Sequence, residues 1–185
     1  SKTNFRINDK FSLENSLSFS TVSQNAPYSL GNTGFGKPAY AAGMILPNNP
    51  IYNPDGTYYG LPGSGQNMVG TFNHNVMAVG EYAKYFTRTN QFVGSLTATY
   101  KLLPSLTLRS MIGLDYRLTQ DHRYQDPRIN DGFGVNGRLS DQSDWNTNLI
   151  TTTTANYNKT FKDVHNVTAL AGIEYRRDQN LWIQA

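Results

Sequence analysis

Gly113-Leu114-Asp115-Tyr116-Arg117 and Gly172-Ile173-Glu174-Tyr175-Arg176 are one pattern written twice, and each closes a run in which apolar and polar residues alternate. The first run sets Leu106, Leu108, Ile112, Leu114, Tyr116 and Leu118 against Thr107, Arg109, Asp115, Arg117 and Thr119, with Ser110 breaking the apolar row. The second sets Val167, Ala169, Ala171, Ile173 and Tyr175 against Thr168, Leu170, Gly172, Glu174 and Arg176. A period of two is the signature of a strand. Each run follows another alternating run that ends in Tyr, at Thr97-Ala98-Thr99-Tyr100 and at Thr154-Ala155-Asn156-Tyr157. The repeated unit is therefore a hairpin with tyrosines at its ends.

Outward from this repeat, Phe11, Leu13, Leu17 and Phe19 alternate with Ser12, Glu14, Ser16 and Ser18, interrupted only by Asn15. The pattern predicts about five strands, near 10–20, 91–101, 105–119, 145–157 and 165–178. Two long loops lie between them, near 21–88 and 120–144. The first is rich in Gly, Pro, Asn and Tyr, and Pro47-Asn48-Asn49-Pro50 and Asn53-Pro54-Asp55-Gly56 mark tight turns. Inside it, Val76, Val79, Ala83 and Phe86 are spaced like one face of a short helix. Connections thus alternate long and short, the asymmetry of an outer-membrane barrel with long outer loops and short periplasmic turns. In that orientation the strands ending at Tyr116 and Tyr175 run outward.

Composition agrees with strands and turns. Of 185 residues only 38% are hydrophobic, yet 12% are aromatic, with 12 Tyr and 16 Gly. Sixteen basic and 13 acidic residues are scattered along the chain, giving a net charge of +3 without a basic block. A nucleic-acid partner is therefore not expected. Cysteine is absent, which excludes disulfides and thiolate metal sites. No apolar run reaches the ~18 residues of a membrane helix. That leaves barrel strands untouched, because their faces alternate.

A soluble β-sandwich alternates in the same way. Two features favour lipid. Tyr100, Tyr116, Tyr157 and Tyr175 all sit at strand ends, where two interfacial girdles would place them. From Leu106 to Tyr116, at ~3.3 Å rise and ~40° tilt, the strand projects to roughly 25 Å, the apolar band of a barrel. Arg109, Asp115, Arg117, Glu174 and Arg176 would then face the water-filled lumen. Five strands cannot close, since such barrels begin at about eight. The expected fold is all-β: an antiparallel transmembrane segment forming part of a single larger barrel domain over 1–185.

The segment Pro50-Ile51-Tyr52-Asn53-Pro54-Asp55-Gly56-Thr57-Tyr58 resembles a loop signature of the SusC/RagA family of TonB-dependent outer-membrane transporters. So does the order of Asn75-Val76-Met77-Ala78, Arg88-Thr89-Asn90-Gln91-Phe92-Val93-Gly94-Ser95-Leu96, Gly113-Leu114-Asp115-Tyr116 and the run from His165 to Tyr175. The resemblance implies a barrel of about 22 strands around an N-terminal plug, in the bacterial outer membrane. It implies import of oligosaccharides or peptides with a SusD-like surface lipoprotein, driven through TonB. No plug or TonB box is recognisable here, so the chain is expected to be an early to middle part of the barrel. The alternatives are another outer-membrane barrel, porin-like or adhesin, and a soluble β-sandwich module that binds glycans.

Catalysis finds little support, and the expectation is a transporter, not an enzyme. His74, His122 and His165 lie far apart without metal-ligand spacing and read as surface or loop histidines. Asp55-Gly56 and Asp131-Gly132 read as turns, because no series of alternating oxygen ligands follows either. No metal, cofactor or catalytic residue is expected. Tyr52, Asp55, Tyr58, Tyr59, Tyr124 and Trp145, in or beside the long loops, are the candidates for ligand or partner contact, since aromatic rings stack on sugars and anchor interfaces. Packing of the loops on themselves is the competing reading.

Overall fold

The computed structural model describes residues 1–25, 38–70, 73–162 and 164–185. Six strands, β1 (Lys2–Arg6), β2 (Phe11–Asn25), β3 (Lys84–Leu103), β4 (Leu106–Gln125), β5 (Arg138–Phe161) and β6 (His165–Gln184), form one sheet in the order of the chain. Three short helices lie between them, α1 (Pro38–Met44), α2 (Val76–Tyr82) and α3 (Asn130–Phe133). No described helix is long and apolar enough to cross a membrane. The sheet ends in two edges, β1 and β6, and does not close within the chain.

Six strands stand where the alternation predicts five. The extra one, β1, has a single large apolar residue, Phe5, and pairs antiparallel with β2 in the register Lys2↔Ser16 to Arg6↔Ser12. Its turn is fixed locally: Asn8 Oδ1 accepts from the backbone N–H of Lys10 at 2.9 Å and of Phe11 at 2.8 Å. The other strands also outrun their predicted bounds. β4 continues through Gln120, Asp121, His122 and Arg123, where both faces are polar. Alternation reports a face in lipid, whereas the hydrogen-bonded ladder continues past that face into water. The loop expected near 120–144 accordingly shrinks to residues 126–137, which include α3. The predicted helix is α2; Ala83 is its C-cap and Phe86 already belongs to β3.

The chain divides into two units. The first comprises Ser1–Val22, Thr89–Thr119 and Asp144–Trp182. Its buried residues are Gly94, Thr97 and Gly113, with no large apolar side chain among them. The sheet is turned inside out relative to a soluble core. On the inner strands β3 and β4, Leu96, Ile112 and Leu114 are 45%, 46% and 37% exposed, while Thr97 on the opposite side is 5% exposed. Val93, an apolar residue on the polar side, is the exception on β3.

The glycines of the doubled motif sit where a neighbouring side chain crosses the strand. A Cβ on Gly113 would lie 2.9 Å from Ile150 Cγ2, and one on Gly172 would lie 3.1 Å from Thr154 Cγ2. Residues of β5 therefore lean over both glycines, on the polar side. The break at Ser110 is also accounted for: its hydroxyl lies 2.9 Å from that of Thr153, so the two polar groups on the apolar side satisfy each other.

The second unit, Ser23–Arg88, Gln120–Ser143 and Ile183–Ala185, has a small conventional core. Ala78, Val79 and Ile129 are buried in it, with Tyr58, Leu61, Tyr82 and Ala83 packed against them.

The inverted faces set a test. In the full-length membrane protein Ile112→Arg is expected to cost about 2–4 kcal/mol of folding stability near the bilayer midplane, and Met111→Arg much less. Chemical denaturation in lipid vesicles measures both, and equal penalties would refute the assignment of faces.

Candidate functional site

The best-defined constellation lies in the second unit, around Asn75. This residue precedes the first apolar position of α2 and is its N-cap: Oδ1 accepts from Met77 N at 3.1 Å and Ala78 N at 3.2 Å. Its Nδ2 donates to Ile51 O at 2.8 Å and Tyr59 O at 3.0 Å. One buried amide thus ties the start of α2 to both strands of a small hairpin, where Tyr52 bridges Tyr58. The hairpin tip is built by side chains. Asp55 accepts from the Thr57 backbone N–H at 2.9 Å and from its hydroxyl at 2.6 Å, which holds the Asp55 carboxyl below its usual pKa. Gly56 supplies the positive φ of 84° that the turn needs. Asn53 Nδ2 donates to Thr57 Oγ1 at 2.9 Å, and its Oδ1 accepts from Gln66 Nε2 at 2.6 Å.

An aromatic ladder grows from this hairpin. Tyr52 and Tyr58 stack at 5.2 Å, and Tyr58 meets Tyr82 edge-on at 5.6 Å. The Arg128 guanidinium lies 3.7 Å from the centre of the Tyr82 ring. The Tyr58 hydroxyl donates to Glu81 Oε2, and that bond raises the pKa of the phenol above its ordinary value. Arg128 is held in turn by Asp126 through a bidentate pair at 2.8 and 2.7 Å, with the Arg128 backbone N–H adding a bond at 2.9 Å. This pairing pushes the Asp126 carboxyl down and the Arg128 guanidinium up. The Asp126 side chain is 8% exposed.

Of the loop candidates, Tyr52, Asp55, Tyr58 and Tyr59 are gathered here, and packing occupies Tyr58. Tyr52 remains 48% exposed. Tyr124 is a strand residue because β4 extends beyond its alternating segment, and Trp145 lies in β5, inside the span predicted near 145–157. His74, read as a surface or loop histidine, is buried at 6% exposure beside Asp131 at 3.5 Å and Asn130 at 3.4 Å. Sequence reasoning also missed Asn75, Asp126 and Arg128. An Asn before an apolar helical start was legible as a cap; the Asp126–Arg128 pair left no periodic trace. The described residues contain no group of three or more His, Asp or Glu able to hold a metal ion.

On the polar side of the sheet, Arg109 Nη2 on β4 lies 3.9 Å from Glu14 Oε2 on β2, reaching across β3 between them. Asp115 accepts from Gln91 Nε2 at 2.9 Å, and Glu174 from Thr152 Oγ1 at 3.1 Å. Arg176 turns to Asp178 on its own strand at 3.0 Å, and Arg117 is exposed. The acids and arginines of the two motif copies find other partners because β5 separates β4 from β6. Tyr100 and Tyr157 lie near the ends of β3 and β5, whereas Tyr116 and Tyr175, expected at strand ends, are mid-strand because β4 and β6 continue past the alternating runs. Tyr100, Tyr116 and Tyr175 are 41%, 36% and 59% exposed, and Tyr157 is half-buried.

Two measurements check the site. Asn75→Ala in the full-length protein removes a cap worth about 1 kcal/mol and takes the amide donor from Tyr59 O and Ile51 O, the latter keeping its bond from the Tyr59 N–H at 3.0 Å. A loss of about 2–3 kcal/mol in hydrogen-exchange protection is expected over residues 51–59 and α2, with protection of the strands unchanged. Because pairing lowers the folded-state pKa of Asp126, its contribution is complete above the unfolded carboxylate value of about 3.9 and is lost as pH falls through the folded value. Protection around α2 should therefore be flat from pH 8 to 5 and decline in more acidic buffer, and Asp126→Asn should remove this Asp126-dependent part of the decline.

Known proteins agree with this architecture. No family model matches the chain. It is 27% identical over 150 residues to TonB-dependent receptor P3 of Formosa agariphila, a match covering 81% of this chain and 14% of that one. It is 26% identical over 183 residues to TonB-dependent receptor P26 of the same organism, covering 96% of this chain and 17% of the relative. The chain thus spans about a sixth of the length of these relatives. Among solved structures, the RagAB peptide transporter matches all of the chain and 20% of its own, with a TM-score of 0.70 at 18% identity. The RagAB peptide importer in its closed-closed state matches with a TM-score of 0.69 over the same shares. The relatives in sequence are named TonB-dependent receptors, the neighbours in fold are RagAB transporter structures, and the six-stranded sheet of this chain has the fold of a segment of their barrel wall.

Proposed function

We propose that the chain is part of a TonB-dependent outer-membrane importer of oligosaccharides or peptides that works with a SusD-like surface lipoprotein. The observation that carries this reading is the inverted sheet. Leu96, Ile112 and Leu114 lie open on one side, and a row of hydroxyls, amides and carboxylates lies on the other. A soluble sandwich needs its apolar side covered, whereas a barrel wall sets that side against lipid and the polar side against a wet lumen. Arg109, Asp115, Arg117, Glu174 and Arg176 are then lumen groups, and Tyr100, Tyr116, Tyr157 and Tyr175 are interfacial.

The part of the wall in transport is to enclose a pathway. Coupling to TonB belongs to a plug domain, and choice of substrate to the lumen and the outer loops. Exposed Tyr52, on a hairpin made rigid by Asn75 and Asp55, is the loop candidate for ligand or lipoprotein contact. The structural neighbours are named for peptide import, which favours peptides within the two substrate classes.

Uptake separates this reading from a passive channel. In cells carrying the full-length protein, accumulation of its oligosaccharide or peptide should stop when TonB is deleted. Persistent uptake would assign a porin-like channel. For the soluble alternative, the isolated chain is expected to aggregate or stay unfolded in detergent-free buffer. Cooperative unfolding there would favour the sandwich.

A further inference from the structure

We propose that a cleft beside Arg88, in the second unit, binds the phosphate of a lipid headgroup. The proposal rests on the reading of the apolar side as lipid-facing. The cleft has a volume of about 430 Å³ and is lined by Phe86, Arg88, Gln120, His122, Asp141 and Ser143, with Asp121 and Gln142 contributing from alternate positions. The first six fall on the strand positions that carry Leu96, Leu114 and Leu149 further along β3, β4 and β5. Phe86 stacks on His122 with 4.8 Å between ring centres, so both rings project to one side, whereas Thr87 and Asp121 meet on the other. Along β4, Gln120 is the next residue on that side after Leu118, and along β5 Ser143 is the next before Trp145. Two residues of a strand tilted ~40° climb about 5 Å. The headgroup layer beside a hydrocarbon core is itself about 5–7 Å deep. The cleft therefore begins at the height of the headgroups.

Charge selects the ligand. Both acids of the cleft are engaged within the protein: Asp141 Oδ1 lies 2.6 Å from His122 Nδ1, and Asp121 accepts from Thr87 Oγ1 at 2.5 Å and lies 3.6 Å from Arg123 Nη2. Arg88 is exposed and has no hydrogen bond or ion pair among the described residues. Its guanidinium is thus a charge of the cleft that needs an anion from outside. The planar fork of a guanidinium matches two phosphate oxygens at once. The Gln120 amide and the Ser143 hydroxyl line the same cleft and add neutral donors. At headgroup height the anion at hand is a lipid phosphate, which a neutral sugar cannot replace as counter-charge.

The test uses the full-length protein in nanodiscs holding equal amounts of lipid A, a phosphorylated glycolipid, and the same lipid A stripped of its phosphates. Lipid that stays with the protein after detergent exchange is counted by mass spectrometry. The phosphorylated form should be retained about tenfold over the stripped form, the discrimination of a charge-assisted hydrogen bond. Arg88→Gln, which keeps size and polarity but removes the charge, should bring the ratio close to one. Arg88→Lys, which keeps the charge without the fork, should preserve part of it. Equal retention by the wild type, or a preference that survives Arg88→Gln, overturns the proposal while leaving the barrel reading intact. Displacement of the lipid by an equimolar amount of inorganic phosphate would assign the cleft to the free ion and overturn the lipid as its occupant. Failure of the wild type to enter a bilayer overturns the barrel reading as well.

Discussion

Every backbone N–H and C=O that enters hydrocarbon must be paired within the protein, and this constraint orders the rest of the sheet. It forces a continuous ladder of long strands and removes any need for an apolar interior. Stability on the lipid side then comes from keeping apolar side chains outward, which is why Leu96, Ile112 and Leu114 are open while Thr97 is covered. The opposite side is freed for polar rows. Gln91 reaches Asp115, Thr87 reaches Asp121 at 2.5 Å, and Thr152 reaches Glu174. Such bonds are individually modest, and the exposed Arg109–Glu14 pair at 3.9 Å adds little. The ladder holds the wall together, and the side chains decide which way it faces.

The loop unit solves a different problem with the same currency. Its core of Ala78, Val79 and Ile129 is too small to fix a segment rich in Gly, Pro and Asn. Side chains bonded to backbone take over. Asn75 serves four backbone groups, Asn53 and Asp55 close the hairpin, and Asp126 with Arg128 buttresses Tyr82. The result is a hairpin held firmly at its base and exposed at Tyr52. Loops carry function when a rigid support aims them, and here that support is a set of buried amides.

What the sequence disclosed follows from which forces leave a period. Lipid on one face and water on the other write a period of two, so the central parts of β2 to β6 were legible. The outer ends of β3, β4 and β5 were not, because Arg88, Asp121 and Arg123 lie where both faces are wet and the ladder alone continues. β1 is too short and polar to register. The site divides in the same way. The turn at Asp55-Gly56 and the cap at Asn75 obey local rules, but the meeting of Tyr58, Tyr82 and Arg128 joins residues far apart in sequence. No local pattern encodes that meeting, and the burial of His74 against Asp131 was hidden for the same reason.

The doubled motif can now be read position by position. Its glycine makes room for a side chain of β5, Ile150 in one copy and Thr154 in the other. Its aliphatic residue, Leu114 or Ile173, is exposed on the apolar side. Its acid accepts a hydrogen bond from the adjacent strand, from Gln91 or from Thr152. Its tyrosine is partly exposed at the end of the alternating run, where an amphipathic ring tolerates both solvents. Its arginine stays solvated on the polar side. Five consecutive residues thus meet five different demands along one strand, and two strands on either side of β5 meet them alike. The repeat needs no shared ligand to explain it: the same apolar and polar sides, presented twice against the same neighbour, select the same residues.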